Sequence, residues 1–294
     1  MTYTKLLHIR LISVSLVIFF LITFAVFSQD AESQRETYEL FEGITYVRDE
    51  RSILRPMVIH VMLIDLTADG IDFFVTPADD LEDYDYTART TTQFVDDFGV
   101  QVAINGDFFG PVRDDGNETE SGVNAHGLTI LDNVTQTAGF ASSELISTLY
   151  IDEQNHVTFS ERPDEVNVAI SGKYMLLIEG VYQDIEDPDN DFVESPHPRA
   201  AIGLSADGNT LILMVVDGRQ SEISEGATLP EFAELLKEYG AYIAMNLDGG
   251  GSASMVIQNE NHETQLLNSP VNYEQVGVER PVANHLGIYA EPLR

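Results

Sequence analysis

The chain of 294 residues contains no cysteine, which excludes disulfides, cysteine-ligated zinc and thiol catalysis. Basic residues are also scarce: 15 Lys and Arg stand against 49 Asp and Glu, giving a formal net charge of −34. Such a surface repels polyanions, so we expect no nucleic-acid partner. The histidines show neither HxH nor HExxH spacing. We therefore predict no catalytic metal and no cofactor.

One long apolar run is present, from Leu11 to Phe27, after Lys5 and Arg10. This pattern is typical of a signal peptide covering residues 1–28, and the run is also nearly long enough for an uncleaved membrane anchor. Both alternatives predict an extracytoplasmic protein (secreted, periplasmic or at the cell surface), with membrane attachment through residues 11–27 only. Residues 29–42 are polar and predict a linker.

Residues 43–292 predict one α+β domain, with a strand-rich mixed sheet and a few flanking helices. Apolar segments at 58–66 and 71–75 flank an Ala-Asp-Gly turn and predict a hairpin, and the same design recurs at 200–216. Helices are predicted at 90–98 and 229–239, the second starting with a Thr228–Glu231 capping box. The acidic stretch 184–194 predicts an exposed loop.

The two halves of this domain resemble each other. Residues 94–110 and 235–251 align as helix, glycine, apolar strand and then Asn-x-Asp, at Asn105/Asp107 and Asn246/Asp248. Duplication would give two pseudo-repeated halves and bring both strand exits to one cleft. A chance match of short common turns explains the alignment equally well.

The most distinctive motif is Asn246-Leu247-Asp248-Gly249-Gly250-Gly251-Ser252, directly after the apolar strand 242–245. Three glycines allow a tight path whose bare N–H groups can surround an oxyanion. A purely structural alternative is a glycine-rich turn capped by Asp248.

This motif resembles the signature of the phosphodiester glycosidase family. Further segments resemble the other blocks of that family in order, so the resemblance spans about residues 58–290: 103–109, 197–203, 216–220 and 279–287. It implies hydrolysis of a glycosyl-1-phosphodiester in an envelope glycan or exopolysaccharide. One departure is Ser171-Gly172-Lys173-Tyr174, where the family more often has Ser-Gly-Gly-Pro. Lys173 would narrow the cleft or add a phosphate contact.

Candidate site residues follow from these blocks. Arg199, Arg219 and Arg280 each lie inside one, and a guanidinium binds phosphate bidentately, although each could instead pair with a carboxylate. For the carboxylate that acts on the sugar, the first candidate is Asp248. The remaining candidates are Asp107, Asp217 (which could instead only orient Arg219) and His126 as catalytic groups, and Asn105, Gly106, Asn246, Gly249, Gly250, Gly251 and Ser252 as substrate- or phosphate-binding groups.

Two other functions remain open at this point. One is a non-catalytic carbohydrate- or polymer-binding protein on the same fold. The other is a metal-dependent phosphodiesterase that cleaves the P–O bond.

Overall fold

Antiparallel sheets dominate this protein in the computed structural model, which describes residues 34–111, 122–139, 146–186, 190–259 and 261–294. The apolar run 11–27, and with it the choice between signal peptide and anchor, lies outside the described residues. Within them, no helix is long and apolar enough to cross a membrane.

The strands are β1 (Gln34–Phe41), β2 (Ile44–Arg51), β3 (Met57–Asp65), β4 (Asp72–Val75), β5 (Tyr86–Thr87), β6 (Val102–Asn105), β7 (Phe109–Gly110), β8 (Gly122–Ala125), β9 (Thr129–Leu131), β10 (Val134–Thr137), β11 (Ile146–Ile151), β12 (Val157–Phe159), β13 (Val168–Lys173), β14 (Met175–Ile178), β15 (Val181–Tyr182), β16 (Arg199–Ser205), β17 (Thr210–Val216), β18 (Ala241–Asn246), β19 (Met255–Gln258), β20 (Thr264–Leu266), β21 (Val271–Asn272), β22 (Gln275–Val276) and β23 (His285–Tyr289). The helices are α1 (Thr91–Phe98), α2 (Asn190–Glu194) and α3 (Leu229–Glu238), and a 3₁₀ turn spans Gly250–Ser252.

The largest sheet has eight strands, in the order β1-β2-β3-β17-β16-β18-β14-β15. Two five-stranded sheets have the orders β10-β9-β13-β11-β12 and β20-β19-β6-β23-β4, and β5-β8-β7 and β21-β22 form smaller ones. Neighbouring strands pair antiparallel throughout the described residues, for example β16 with β17 and β6 with β23. The strand-rich fold is therefore confirmed, whereas the mixed sheet is not found.

The core lies between these sheets and continues beneath the helices. Along β17, Leu211, Leu213 and Val215 face the core that the sheets share. The alternate residues of β17 face a second apolar cluster under α3. A strand buried on both faces needs an uninterrupted apolar sequence, which explains the unbroken run 211–216. Helix α1 packs on β6 and β19 in the same manner.

Both predicted helices are present, and their ends follow from local sequence. Thr90 caps α1 and Thr228 caps α3, each in a complete capping box with Gln93 or Glu231. These bonds satisfy backbone N–H groups that a helix leaves free at its start. Gly99, in the left-handed region, ends α1.

Three local predictions need correction. Residues 34–41, expected within the 29–42 linker, form β1, because pairing with β2 and contacts such as Arg35–Asp49 replace apolar burial. The predicted hairpin of 58–66 with 71–75 does not form, since β3 pairs with β17 and β4 with β23. The 200–216 hairpin is confirmed. Helix α2 lies within the expected 184–194 loop.

The relation between the two halves is partial. In each half a capped helix leads through a glycine into a strand that ends at Asn105 or Asn246. The hairpin that should precede each helix exists only in the second half. Two pseudo-repeated halves therefore remain a prediction.

Candidate active site

Two strand exits meet at the start of the glycine motif. The backbone N–H of Asp248, just after β18, donates to the Gly106 carbonyl at 3.1 Å. Asn105, the last residue of β6, donates from Nδ2 to the Asp248 carbonyl at 2.7 Å. Its Oδ1 accepts from the N–H of Ser254 at 3.1 Å. The buried Asn105 side chain thus holds both ends of the glycine motif, as a positioning residue rather than a turn cap.

The three glycines serve mainly to let other groups approach the backbone. A Cβ on Gly249 would lie 2.7 Å from the Pro198 carbonyl, one on Gly250 2.8 Å from Arg219 Nη2, and one on Gly251 3.0 Å from Arg280 Nη2. Gly250 also has φ +58. Its N–H donates to the Pro198 carbonyl at 2.9 Å, and that of Ser252 to Gly249. Two N–H groups of the expected cradle, those of Gly250 and Ser252, are therefore occupied by backbone acceptors.

A cleft of about 290 Å³ opens above this turn. Its described lining combines the three predicted arginines, Asp248 and the three glycines with residues that the sequence did not single out as cleft residues: Phe108, Asp191, Phe192 and His197. The structure thus brings together two carboxylates, Asp191 and Asp248, and three guanidinium groups over a bare backbone.

Arg199 is buried beside the cleft without a carboxylate within 4 Å in the described part of the chain. Its Nε donates to the Ala227 carbonyl at 2.8 Å, and its Nη2 donates to the carbonyls of Phe192 and Ser195. Burial, and then the charge of Arg219, lower the pKa of Arg199 to about 10. Asp191 and Glu231 oppose this shift from a distance, and a buried cation that no carboxylate contacts directly favours an anion in the cleft.

Arg219 and Arg280 lie over Gly250 and Gly251, more open to solvent than Arg199. Burial and the neighbouring Arg280 lower the pKa of Arg219, while Asp248 opposes that shift. Arg280 Nε donates to Asn272 Oδ1 at 3.3 Å, which fixes its position. Adjacent guanidinium groups repel each other unless an anion lies between them.

The Asp248 carboxyl is half-buried at the cleft floor. Burial raises its pKa to about 6, although the Ser252 hydroxyl and Arg280 stabilise its ionised form. The Ser252 side chain that contributes this stabilisation is itself buried. A carboxylate with this pKa remains mostly ionised at neutral pH and is easily protonated.

Asp107 is buried and is not among the described residues that line the cleft. One oxygen accepts from the N–H of Gly127, and the other is buried without a described partner. Burial raises the pKa of Asp107 to about 7, backbone N–H groups oppose the shift, and the Asp248 charge adds to it. The ionised form of Asp248 therefore makes Asp107 harder to ionise.

Asp217 and His126 also lie outside the cleft lining that the structure describes. Asp217 Oδ1 accepts from Asn268 and Ser269, and its Oδ2 contacts His60 at 3.2 Å, so both oxygens stabilise the fold. No bond orients Arg219 from this carboxylate within the described chain. The backbone N–H of His126 donates to Phe108, and burial and Lys173 lower the pKa of its imidazole.

The other predicted positions are structural neighbours of the cleft. A Cβ on Gly106 would overlap Asn284, so close backbone approach explains this glycine. Asn246 is buried, and its Nδ2 has no partner among the described atoms. Lys173 Nζ lies 5.4 Å from the Phe192 ring centre, at the side of the cleft. A phosphate contact from Lys173 remains a prediction.

Phe108 and Phe192 are the aromatic cleft residues that sequence reasoning missed. Their rings meet edge to face with centroids 6.2 Å apart. The Arg199 guanidinium lies 5.1 Å from the centre of the Phe192 ring. Phe192 belongs to α2, inside a stretch expected to be a loop, and only its contact with Arg199 reveals its place. The Phe108–Phe109 pair within the 103–109 block was the available signal for Phe108.

Within the described residues, no group of three or more His, Asp or Glu side chains is placed to hold a metal ion. The polar cleft groups are instead mostly cationic. They suit an anionic ligand better than a divalent cation.

Comparisons with known proteins support the sequence resemblance. A stretch of 92 residues is 37% identical to the SPbeta prophage-derived uncharacterized protein YomE of Bacillus subtilis (strain 168), covering 31% of this chain and 13% of that protein. This chain thus matches only a small part of that relative's length.

Solved structures share the fold. A hypothetical protein from Synechocystis superposes with a TM-score of 0.65 at 15% identity, covering 89% of this chain and 64% of that one. The catalytic domain of zebrafish N-acetylglucosamine-1-phosphodiester alpha-N-acetylglucosaminidase, auto-inhibited by its pro-peptide, superposes with a TM-score of 0.60 at 20% identity, covering 90% and 85%. At these identities the likeness establishes the fold alone.

The family assignment comes from a sequence profile. The profile of phosphodiester glycosidases matches residues 98–289, which is 192 of the 294 residues and includes every cleft residue described above. The chain belongs to the phosphodiester glycosidase family.

Proposed function

We propose that this protein hydrolyses glycosyl-1-phosphodiesters by breaking the C–O bond between the anomeric carbon and the phosphate oxygen. One observation carries the proposal: the Asp248 carboxyl faces a cleft whose charged lining includes Arg199, Arg219 and Arg280. The arrangement offers cations for a phosphodiester and one carboxylate for the sugar carbon beside it. Family membership supports the same reaction class.

The reaction needs little help with the leaving group. When the C–O bond breaks, the phosphate oxygen keeps the electron pair, and Arg219 and Arg280 stabilise its charge. Asp248 either attacks the anomeric carbon or accepts a proton from water that attacks it. In both routes water supplies the hydroxyl on the released sugar and the proton that balances the phosphomonoester.

The substrate that we propose is part of an envelope glycan or exopolysaccharide outside the cytoplasm. The apolar segment 11–27 supports that location, through export or anchoring. The acidic surface repels an extended polyanion, so we expect the substrate to bind through a single phosphodiester. The attraction for that phosphodiester is confined to the cleft.

A substrate panel tests this function. The purified protein is incubated with nucleotide sugars and simple glycosyl-1-phosphodiesters, and the release of free sugar is measured for wild type and Asp248→Asn. We expect wild type to release sugar from at least one class. The variant should lose turnover by about 10²-fold or more while still binding substrate, because removing one charged group of a catalytic site typically costs several kcal/mol.

The same panel separates the two other functions. A binding protein would show affinity without sugar release in wild type, and Asp248→Asn would leave that affinity intact. A metal-dependent phosphodiesterase would lose activity with EDTA and regain it with a divalent cation. Activity that EDTA does not change supports the proposed glycosidase.

A further inference from the structure

Three exposed apolar side chains lie on two neighbouring loops at one end of the eight-stranded sheet. Ile53 and Leu54, in the loop between β2 and β3, are 68% and 93% exposed, and Ile223, in the turn after β17, is 57% exposed. The two loops are neighbours, since Glu225 N donates to the Pro56 carbonyl at 3.0 Å. We call Ile53, Leu54 and Ile223 the apolar tip. Exposed apolar clusters on soluble proteins commonly mark a contact surface.

The backbone of the apolar tip supports a role for it. Leu54 has φ +69, in the left-handed region that favours glycine or asparagine over leucine. A bulky apolar residue in this conformation, with its side chain turned to solvent, stabilises neither the loop nor the core. A strained backbone conformation of this kind is usually retained where the residue contacts a ligand or a partner.

The start of β1 lies in the same corner of the domain. Gln34 pairs with Glu50, one residue before the end of β2, and lines a surface cavity together with Pro56 and Ile223. In the sequence, only residues 28–33 separate the apolar run 11–27 from Gln34. Six extended residues span at most about 20 Å. If that run enters a bilayer, the apolar tip is within reach of the same bilayer.

We propose that the apolar tip is a membrane-contact surface that inserts into the interfacial region of a lipid bilayer. Nearby basic groups are already paired, Arg51 with Asp49 and Glu238, and Arg55 with Glu231. The contact therefore depends on apolar burial and does not require anionic lipid. This extends membrane attachment from residues 11–27 to the folded domain.

The turn that carries Ile223 also links the apolar tip to the cleft. Arg219, over the glycine motif, starts this turn, and its N–H donates to the Glu225 carbonyl at 3.3 Å. A bilayer at the apolar tip would therefore lie beside the cleft. This contact does not depend on the proposed hydrolysis, and either can fail without the other.

The absence of cysteine allows a direct test with a single label. Full-length Leu54→Cys carries an environment-sensitive fluorophore and is reconstituted with neutral phosphatidylcholine vesicles. The control is Val181→Cys, which is 63% exposed on β15, the edge strand of the same sheet. We expect a blue shift and quenching by doxyl-labelled lipid for Leu54→Cys only, unchanged in high salt.

A second labelled position and two contrary outcomes complete the test. Ile223→Cys should repeat the result if Leu54→Cys fails to fold. Equal, water-like emission from the tip positions and the Val181→Cys control would overturn the proposal. A blue shift without vesicles that grows with protein concentration would also overturn it, because a second copy of the chain would then cover the apolar tip.

Discussion

Asn105 Nδ2 lies 2.7 Å from the backbone carbonyl of Asp248, although 143 residues separate the two in sequence. The same amide side chain accepts from Ser254, beyond the glycine motif. One buried side chain at the end of β6 thus fixes the path of the chain that carries the proposed catalytic carboxylate.

We predict that Asn105→Ala lowers both activity and stability. The change leaves a buried carbonyl and a buried N–H without partners, which should cost about 1–3 kcal/mol in the free energy of unfolding and displace Asp248. Urea unfolding and kcat measure the two effects. Asn155→Ala is the control, because it removes a bond to the Ile71 carbonyl elsewhere, and it should lower stability alone. Unchanged kcat in Asn105→Ala would refute the positioning role.

Gly250 and Gly208 provide a matched pair of glycines. Both have positive φ, but a Cβ on Gly250 would lie 2.8 Å from Arg219 Nη2, whereas a Cβ on Gly208 would meet nothing within 4 Å. Both alanine variants should lose about 1 kcal/mol of stability from backbone strain. Only Gly250→Ala should also raise KM, because it displaces the guanidinium group. The prediction fails if both variants keep the wild-type KM.

The pH dependence of activity should follow Asp248. Its pKa is raised to about 6, first by burial, and the proposed mechanism needs the ionised form. We expect kcat/KM to fall as pH decreases through about 6, measured on a phosphodiester that does not itself titrate in this range. A profile that stays flat down to pH near 4, the ordinary range of an aspartate, would show that no carboxyl with a raised pKa is required.

The pH dependence of stability should reveal Asp107. Its pKa is about 7 in the folded protein and about 4 in the unfolded chain, so the folded state binds the extra proton. The free energy of unfolding should therefore decrease as pH rises from about 4 to about 7. Asp107→Asn should remove much of this decrease and stabilise the protein at pH 8, as followed by denaturant unfolding.

Asp152 supplies a control of opposite sign. Its burial would raise the pKa, but hydrogen bonds from His156 and Gln154 outweigh this effect and lower it. In wild type, ionised Asp152 stabilises the fold at pH values above its unfolded pKa, and this stabilisation is lost as pH falls. Asp152→Asn should therefore lower the free energy of unfolding at neutral pH. If Asp107→Asn keeps the wild-type slope between about pH 4 and 7, another group causes the slope.

Local sequence signals identified the helices and the glycine motif reliably. The capping boxes at Thr90 and Thr228 specify helix starts from nearby residues alone. The Asn-x-Asp exits were likewise recognised, because a short apolar strand followed by polar and glycine residues is a local pattern. Each of these features depends on interactions within about ten residues, which a sequence displays directly.

Features set by distant partners were harder to predict. Strand β1 is polar and is held by pairing with β2, while β3 and β4 enter different sheets despite the turn between them. The N–H groups of the glycine motif were expected to face substrate, yet Pro198 takes that of Gly250. Phe192 is held at the cleft by the hydrogen bond that Arg199 Nη2 donates to its backbone carbonyl. None of these pairings leaves a periodic trace in the sequence.

Hydrolysis in water enriched in heavy oxygen tests the central claim most directly. A glycosyl-1-phosphodiester is turned over by the wild-type protein, and mass spectrometry locates the label in the products. Cleavage of the C–O bond beside Asp248 predicts the label in the released sugar and none in the phosphomonoester. Label in the phosphate would show P–O cleavage and would contradict the account.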